Sequence, residues 1–307
     1  MIAGQKPACI AGWGTTQAGR VGGDTAPGSR IDRAMESGLT FDRVAGLYDE
    51  VRPAYPTALI DRALAGRPVR DVLEVGCGTG QLTAELVSRG LHVEAVEPGT
   101  NLVAIARRRA PLARISVGRF EDIEPSHPSF DAVFSATAFH WVDPRIGWSK
   151  VARLLRPGGR FALLSHVYVT DQESRPAQEA LRDIYGAPWR LRTEQEVVEG
   201  AVACRDNISA VWAWLENPAI EVPESGELFG DVEFHAVPRQ RDVAAVELID
   251  LQRTTSTHLQ LEAAERERVE REISELVRTL GGSFPIRQLA VLAVAERRGD
   301  EHSRARA

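Results

Sequence analysis

The feature that most constrains the fold of this chain is a glycine-rich turn between a predicted strand and a predicted helix. The strand, residues 69–75, is short and apolar, and residues 76–80 then read Gly-Cys-Gly-Thr-Gly. Apolar residues recur at helical spacing from Leu82 until Gly90, which is a typical helix stop. Such a turn lets the backbone approach a ligand closely and aims the first helical N–H groups at it. The sequence therefore predicts a ligand site at the carboxyl end of this strand.

The same alternation of strand and helix continues along the chain. Further strands are predicted at residues 91–96, 113–117, 130–135 and 160–166, and the last follows the turn Arg156-Pro157-Gly158-Gly159. A helix bearing Leu102, Ile105 and Ala106 follows the second strand. Strands that alternate with helices pair in parallel, so we expect a three-layer α/β domain.

The remaining segments divide the chain into a head, a domain and a tail. Residues 1–38 are glycine-rich without helical or strand period, which predicts a disordered tail, and Met35 is a candidate natural start. The domain is expected over 39–298, with an inserted helical cap at about 167–225, and 299–307 as a frayed charged end. After the cap, strands are predicted at 231–237 and 287–295, with a charged helix at about 262–280 between them.

The composition of the chain disfavours several classes of function. The chain has 307 residues, 43% hydrophobic and 26% charged, with a formal net charge of -6, which disfavours a nucleic-acid partner. Its three cysteines, Cys9, Cys77 and Cys204, follow neither metal-ligand nor disulfide spacing. No apolar run approaches the roughly 18 residues of a membrane span. We therefore expect a cytoplasmic protein without membrane, nucleic acid or metal.

A carboxylate follows the second predicted strand. Glu97 comes 17 residues after Gly80, where an acidic side chain accepts both ribose hydroxyls of an adenosine. Gln81 stands where the dinucleotide pattern has its third glycine, and Glu74 is foreign to that pattern. Glu97 alone does not separate a nicotinamide cofactor from S-adenosylmethionine.

The ordered motifs of the chain resemble those of class I S-adenosylmethionine-dependent methyltransferases, most closely the small-molecule group called type 11. The resemblance implies a Rossmann-like seven-stranded sheet, mostly parallel with the last strand antiparallel. It covers residues 41–166 strongly and the rest in outline. The motifs are the segments 74–80, 97–98, 118–122, 130–133 and 155–159.

The resemblance implies roles for the residues of the glycine turn. Gly76, Gly78 and Gly80 would cradle the amino-acid part of the cofactor, and Glu74 would order the loop. Cys77 is interpreted as a small loop residue within this cofactor set, not as a nucleophile.

The resemblance implies that the next motifs bind the adenosine half of the cofactor. By resemblance, Glu97 would bind the ribose hydroxyls and Pro98 would lie against the adenine. Phe120 and Glu121 would close the adenine pocket, although Asp122 competes with Glu121 for the adenine edge.

Two more segments join the expected cofactor site. The stretch Tyr48–Pro56 resembles a lid segment, in which Tyr48 or Arg52 would meet the methionine carboxylate, as arginine suits a bidentate contact; the alternative is a proline-fixed connector. Ser135 begins the stretch after the fourth strand, which faces the methyl group in this fold.

The candidate acceptor residues lie mostly in that same stretch. His140 is interpreted as a base, as a group that holds an anionic substrate, or as a histidine bonded to backbone at a helix start. Trp141 is expected to wall the pocket, His166 to be a second polar group, and Trp189 to roof it. Trp212 and Trp214 share that last expectation, with ordinary packing as the alternative.

The sequence thus predicts methyl transfer from S-adenosylmethionine to a small molecule, with a carboxylate or hydroxyl oxygen favoured and S-adenosylhomocysteine as product. The alternatives are a cofactor-binding protein without methyl transfer, and a nicotinamide-dependent oxidoreductase. A monomer or homodimer is expected. The stretch 135–143 lacks the Asn/Asp-Pro-Pro-Tyr/Phe signature of amino-group methylases.

Overall fold

The computed structural model describes residues 39–123, 130–186, 189–217 and 220–299. The predictions for residues 1–38, including the Met35 start, and for 300–307 therefore lie outside the described residues. Residue 299 is the last that the structure describes.

The described strands form one seven-stranded sheet in the order β3-β2-β1-β4-β5-β7-β6. The strands are β1 (Asp71–Val75), β2 (His92–Glu97), β3 (Arg114–Val117), β4 (Phe130–Ala136), β5 (Leu155–Tyr168), β6 (Glu233–Val243) and β7 (Phe284–Glu296). Strands β1 to β5 pair in parallel, and β7 runs antiparallel to both β5 and β6. The expected α/β sheet with an antiparallel last strand is confirmed.

Helices cover both faces of the sheet. They are α1 (Ala45–Val51), α2 (Thr57–Leu64), α3 (Gln81–Ser88), α4 (Thr100–Arg109), α5 (Pro144–Leu154), α6 (Arg175–Tyr185), α7 (Glu194–Ala203), α8 (Ile208–Leu215), α9 (Ser225–Leu228), α10 (Ala245–Gln252), α11 (Ser256–Leu259) and α12 (Ala263–Thr279). Because strand side chains alternate, Val72 of β1 packs with α2 and α3, whereas Leu73 packs with α5 and α8.

The predicted turn at residues 156–159 lies inside β5 as a bulge. Phe130 pairs with Leu155, but Ala132 pairs with Arg160, so the intervening residues of β5 loop out opposite Asp131. Gly158 has φ +71° there, and the Arg67 guanidinium donates to its carbonyl oxygen. The turn chemistry is present, although the strand begins earlier than the sequence predicts.

The helices between β5 and β6, in the predicted cap, divide between two packing groups. Val197 of α7 and Trp212 of α8 join the main core against the sheet. Leu181 of α6 instead packs with Ile273 and Val277 of α12, which lies between β6 and β7. A second group of helices, α10 to α12, therefore stands beside the predicted one and interrupts the β6–β7 hairpin.

Candidate functional site

A cavity of about 600 Å³ opens at the carboxyl ends of β1, β2, β4 and β5. Its first side, here the glycine-loop wall, is formed by Gly76, Cys77, Gly78, Glu97, Pro98, Phe120 and Glu121. Its second side, here the histidine wall, is formed by Tyr55, Thr137, His140, His166 and Glu216. Tyr48, Arg52, Glu74 and Trp141 also line the cavity. The volume is within the range of pockets for small organic ligands.

The three glycines of the turn differ in what surrounds them. Gly76 has φ +71°, and a Cβ placed there would lie 2.4 Å from the Cβ of Ala138. Gly78 has φ +54°, and a Cβ there would meet no described heavy atom within 4 Å, since the residue faces the cavity. A Cβ on Gly80 would approach the Ala106 backbone of α4 at 2.9 Å, and Gly80 does not line the cavity. Gly78 is thus the glycine beside which a ligand has room.

Glu97 holds the glycine turn in place from the end of β2. Its carboxylate accepts hydrogen bonds from the backbone N–H of Gly78 at 3.0 Å and of Gly99 at 2.9 Å. Burial raises the pKa of Glu97, while these two N–H donors act in the opposite direction. The carboxylate retains further lone pairs, and it reaches the cavity that the turn encloses.

Glu74 is buried beneath the same turn. Its carboxyl accepts a hydrogen bond from the Thr83 hydroxyl of α3 at 2.6 Å, and only 1% of the residue is exposed. Burial raises the pKa of Glu74 to about 8. Burial likewise raises the pKa of the Cys77 thiol, which keeps it protonated and agrees with a packing residue.

The structure separates the two acidic candidates of the motif at residues 118–122. Glu121 lines the cavity and accepts from the Asp143 N–H at 2.9 Å, with the Arg119 guanidinium 3.3 Å away. Asp122 is exposed to solvent. Phe120 is buried beside Glu121 and presents the apolar part of this wall.

Ser135 is brought to the base of the site but not into it. Its hydroxyl donates to the Val75 carbonyl at 2.8 Å, and the residue is fully buried between β1 and β4. It does not line the cavity. Its geometry supports the two strand ends that carry the site.

The segment before β1 covers the cavity through α1. Arg52 donates to the Thr254 hydroxyl at 3.0 Å and to the Thr254 carbonyl, and its guanidinium lies 5.1 Å from the Tyr48 ring centroid. Asp49 forms a two-fold hydrogen-bonded pair with Arg109 of α4, which also donates to the Thr79 carbonyl at 3.0 Å. The segment is therefore tied both to the glycine turn and to the helices between β6 and β7.

His140 and Trp141 lie in a short 3-10 turn, Phe139–Trp141, just after β4. His140 Nδ1 is 3.7 Å from Glu216 Oε2, and makes no hydrogen bond within the described residues. Burial lowers the pKa of His140, and the Glu216 carboxylate acts in the opposite direction. Trp141 lies beside the His140 ring at 4.7 Å between centroids and edge-on to Phe41 at 5.9 Å.

His166, at the end of β5, is a neutral ring. It stacks on Tyr55 with 4.5 Å between centroids, and its Nε2 lies 3.2 Å from the Pro53 carbonyl. Since a carbonyl only accepts, Nε2 must carry the hydrogen. Burial, together with the Arg239 charge, lowers the pKa of His166 to about 4. The ring therefore offers a flat surface instead of a cation at neutral pH.

Sequence reasoning did not identify Tyr55, Thr137 or Glu216 as site residues. Tyr55 and Thr137 share a hydrogen bond between their hydroxyls, and Thr137 has φ +51°, a strained conformation for a threonine. Leu251 and Gln288, from still later segments, also line the cavity. Tyr55 and Thr137 stand in stretches singled out in the sequence, 48–56 and 135–143, whereas Glu216, Leu251 and Gln288 carry no local signal.

The tryptophans after β5 lie outside the cavity lining. Trp189 packs on the Tyr185 ring at 5.2 Å, and Tyr185 in turn hydrogen-bonds His258. Trp212 is fully buried in the main core. Trp214 donates to the Val197 carbonyl and stacks under Arg192. Packing, the alternative stated above, accounts for all three positions.

A metal-binding cluster and a membrane-spanning helix are both absent from the described residues. No group of three or more His, Cys, Asp or Glu side chains converges on a metal-binding arrangement there. None of the helices there is long and apolar enough to cross a membrane.

Comparison with known proteins agrees with this geometry. Residues 73–163 match the family model described as a methyltransferase domain. An uncharacterised methyltransferase of Mycobacterium tuberculosis is 44% identical over 126 residues, which are 41% of this chain and 51% of the relative. A malonyl-[acyl-carrier protein] O-methyltransferase of Hahella chejuensis is 31% identical over 172 residues, 54% of this chain and 59% of that protein.

A solved structure gives the same result. A protein of Anaeromyxobacter dehalogenans, provisionally described as a type II methyltransferase, superposes with a TM-score of 0.56 at 25% identity, covering 80% of this chain and 97% of the other. The chain spans about half the length of the mycobacterial relatives it matches. The glycine turn and Glu97 lie within the matched residues 73–163. Over residues 73–163, the chain therefore carries a methyltransferase domain of the class that uses S-adenosylmethionine as cofactor.

Proposed function

We propose that this chain transfers a methyl group from S-adenosylmethionine to an oxygen atom of a small molecule, a hydroxyl or a carboxylate. The observation that carries the proposal is one cavity with two unlike walls. The glycine-loop wall presents backbone and carboxylates, and the histidine wall presents rings and polar side chains. A cofactor and an acceptor held against these walls share one enclosed space, as an in-line transfer needs.

The glycine-loop wall fits the cofactor. When bound, S-adenosylmethionine supplies a methyl group on a sulfonium, which is electrophilic without further activation. The backbone at Gly78 gives close approach, and Glu97 accepts hydroxyl donors from the ribose. Phe120 and Pro98 offer apolar surface to a base, and Glu121 stands beside them.

The acceptor is proposed to be small because it has to enter the same cavity of about 600 Å³. The histidine wall closes that space with Tyr55, His166 and Glu216, and the segment 39–56 covers it. The Hahella relative is named for oxygen methylation, which supports the choice of oxygen. The net charge of -6 supports a partner other than nucleic acid.

A reducing, cytoplasmic compartment and a monomer or homodimer are parts of the proposal. Cys77 is buried as a free thiol within the described residues, as cysteines in a reducing compartment are.

The experiment is a transfer assay on the full chain. Purified protein is incubated with methyl-labelled S-adenosylmethionine and a small-molecule extract, and labelled products are separated by mass. We expect S-adenosylhomocysteine together with a labelled low-mass compound. Label found only in protein or nucleic acid, or cofactor binding with no release of S-adenosylhomocysteine, would contradict the proposal.

A further inference from the structure

Among the residues that the structure describes, His140 faces one charged side chain, which comes from a distant part of the sequence. Glu216 stands just after the end of α8, with its Oε2 3.7 Å from His140 Nδ1. Both residues line the cavity and both side chains are largely buried, 17% and 19% exposed. The cofactor role proposed for the glycine-loop wall uses neither of them.

We propose that Glu216 positions His140 as a general base, and that the acceptor is therefore a neutral molecule with a proton on its oxygen, an alcohol or a phenol. The inference rests on the proposed function and narrows its acceptor class. It assigns Glu216 as a positioning residue and His140 as the residue that meets the acceptor.

The backbone of Glu216 is fixed at the end of α8. Its N–H donates to the Trp212 carbonyl at 2.9 Å. The Arg192 guanidinium donates to the carbonyls of Trp214 at 2.6 Å and Leu215 at 3.1 Å, which fixes the end of α8. The adjacent Phe139 places His140, because its ring is buried against Trp148 and Phe161 at 4.9 Å each.

The geometry selects one tautomer of His140. Nδ1 is buried and points to a carboxylate, which only accepts, so Nδ1 carries the hydrogen. Nε2 then holds the free electron pair, and it makes no hydrogen bond within the described residues. A separation of 3.7 Å is longer than a hydrogen bond, as base–carboxylate contacts often are before substrate binds. Binding of the acceptor needs to shorten the distance between His140 Nδ1 and Glu216 Oε2 by no more than roughly 1 Å.

The surrounding charges favour a neutral acceptor. Glu216 is the charged group that acts on His140 within the described chain, while Arg192 and Tyr55 are the titratable groups that face Glu216. A carboxylate acceptor would place a second negative charge near Glu216, which is unfavourable in a partly buried cavity. A carboxylate also carries no proton for a base to remove. An alcohol or phenol avoids the repulsion and needs the base.

One proton and one methyl group move in the proposed step. The acceptor O–H passes its proton to Nε2 of His140, and the freed electron pair of the oxygen forms the bond to the methyl carbon. The carbon–sulfur bond of the sulfonium breaks, and its electron pair stays on sulfur, which gives the neutral thioether. The Glu216 carboxylate stabilises the imidazolium until its proton leaves to solvent.

The first test compares acceptors of matched shape. Phenol and benzyl alcohol are offered beside benzoic acid and phenylacetic acid, and release of S-adenosylhomocysteine is measured. We expect turnover of the hydroxyl compounds to exceed that of the acids. Turnover of the hydroxyl compounds should fall at least about 100-fold in His140→Gln. It should fall at least about 10-fold in Glu216→Gln. Glu224→Gln, an exposed glutamate of the same stretch, is the control with unchanged rates.

The pH profile separates positioning from mere structural support. Because Glu216 favours the imidazolium, Glu216→Gln should move the low-pH inflection of kcat/KM to lower pH, whereas Glu224→Gln should not move it. Methylation of the acids with no loss in either variant would overturn the inference and leave the proposed function intact.

The second test needs no turnover. The His140 ring is titrated by NMR in the full chain with S-adenosylhomocysteine bound, and Glu216→Gln should lower its pKa while Glu224→Gln leaves it unchanged. An unchanged His140 titration in Glu216→Gln would overturn the inference whatever the acceptor. Failure of the full chain to bind S-adenosylhomocysteine would instead count against the proposed function.

Discussion

The two walls of the cavity are built in different ways. The glycine-loop wall comes from residues 76–121, and its parts follow one another at the ends of β1, β2 and β3. The histidine wall joins Tyr55, Thr137, His166 and Glu216, which only the folded chain brings together. A site made from neighbouring segments can be recognised from their order, whereas a site made from distant segments depends on packing. The glycine-loop wall, where we propose that the cofactor binds, is therefore the more predictable of the two.

The walls also differ in what holds them. The glycine-loop wall relies on backbone N–H groups and on the buried carboxyls of Glu97 and Glu74. The histidine wall relies on stacked rings and on the Tyr55–Thr137 hydroxyl pair. We therefore expect changes in the glycine-loop wall to lower cofactor affinity and changes in the histidine wall to leave cofactor affinity unchanged.

The largest effect is expected at Gly78. Gly78→Leu places a side chain in the space beside the turn, so cofactor affinity measured by calorimetry should fall at least about 100-fold. Gly90→Leu is the matched control, since Gly90 also has a positive φ, +77°, with open space around it but lies outside the cavity. Both variants strain the backbone, and only the first should lose the cofactor. Equal affinities would break the assignment of this wall.

The next effect concerns the titration of the buried Glu74 carboxyl. Its pKa in the folded chain, about 8, lies above its ordinary value of 4.5, so the folded state binds this proton more tightly. The stabilisation is complete below the ordinary pKa and is lost as pH rises towards 8, at up to about 1.4 kcal/mol per pH unit. Urea unfolding from pH 5 to 9 should show this loss in the native chain and not in Glu74→Gln.

The control for that titration is Glu94→Gln. Glu94 is a half-exposed residue of β2, so its substitution should leave the pH dependence of unfolding as it is. The same slope in Glu74→Gln as in the native chain would show that another group carries the titration.

A smaller effect should divide two tryptophans that the sequence assigned to one pocket. Trp141→Ala removes a cavity-lining ring beside His140 and should weaken cofactor binding about 10-fold. Trp189→Ala removes a ring outside the lining and should leave affinity within the error of the measurement. Calorimetry on both variants decides, and a loss in Trp189→Ala would extend the cavity beyond its described walls.

The smallest effect is expected in the histidine wall. Tyr55→Phe keeps the stack on His166 but removes the hydroxyl bonded to Thr137, which should cost about 1 kcal/mol of unfolding free energy. Cofactor affinity should stay the same. Tyr168→Phe serves as control, since Tyr168 also lines the cavity but its hydroxyl makes no hydrogen bond in the described chain. Equal stability of the two variants would show that the Tyr55–Thr137 hydrogen bond does not stabilise the fold.

The sequence was enough for the sheet because its apolar strands and glycine stops are local signals. It predicted the antiparallel last strand through resemblance, and it placed Glu97 correctly at the end of β2. It could not show that Ser135 turns into the core, because one position on a strand does not reveal which neighbour its hydroxyl meets. Nor could it show that Trp189 packs on Tyr185, since both lie in an insertion whose partner helices, α10 to α12, come much later.

Glu216 illustrates the same limit from the other direction. Nothing around Glu216 in the sequence marks it as a site residue. Its importance comes from the 3.7 Å distance to His140, and five elements of secondary structure lie between the two residues along the chain. Tyr48 or Arg52 was expected to face the cofactor carboxylate, and both residues line the cavity. The Arg52 guanidinium is also bound to Thr254, a partner that no motif indicates.

The ties on α1 have a kinetic consequence. Asp49 joins α1 to Arg109 and the glycine turn, and Arg52 joins its end to Thr254 between β6 and β7. A motion that lifts α1 has to break both charged contacts together, so it uncovers both walls in one event. Exchange of spent cofactor and entry of the next acceptor would then share a single opening rate, and that rate sets an upper limit on turnover.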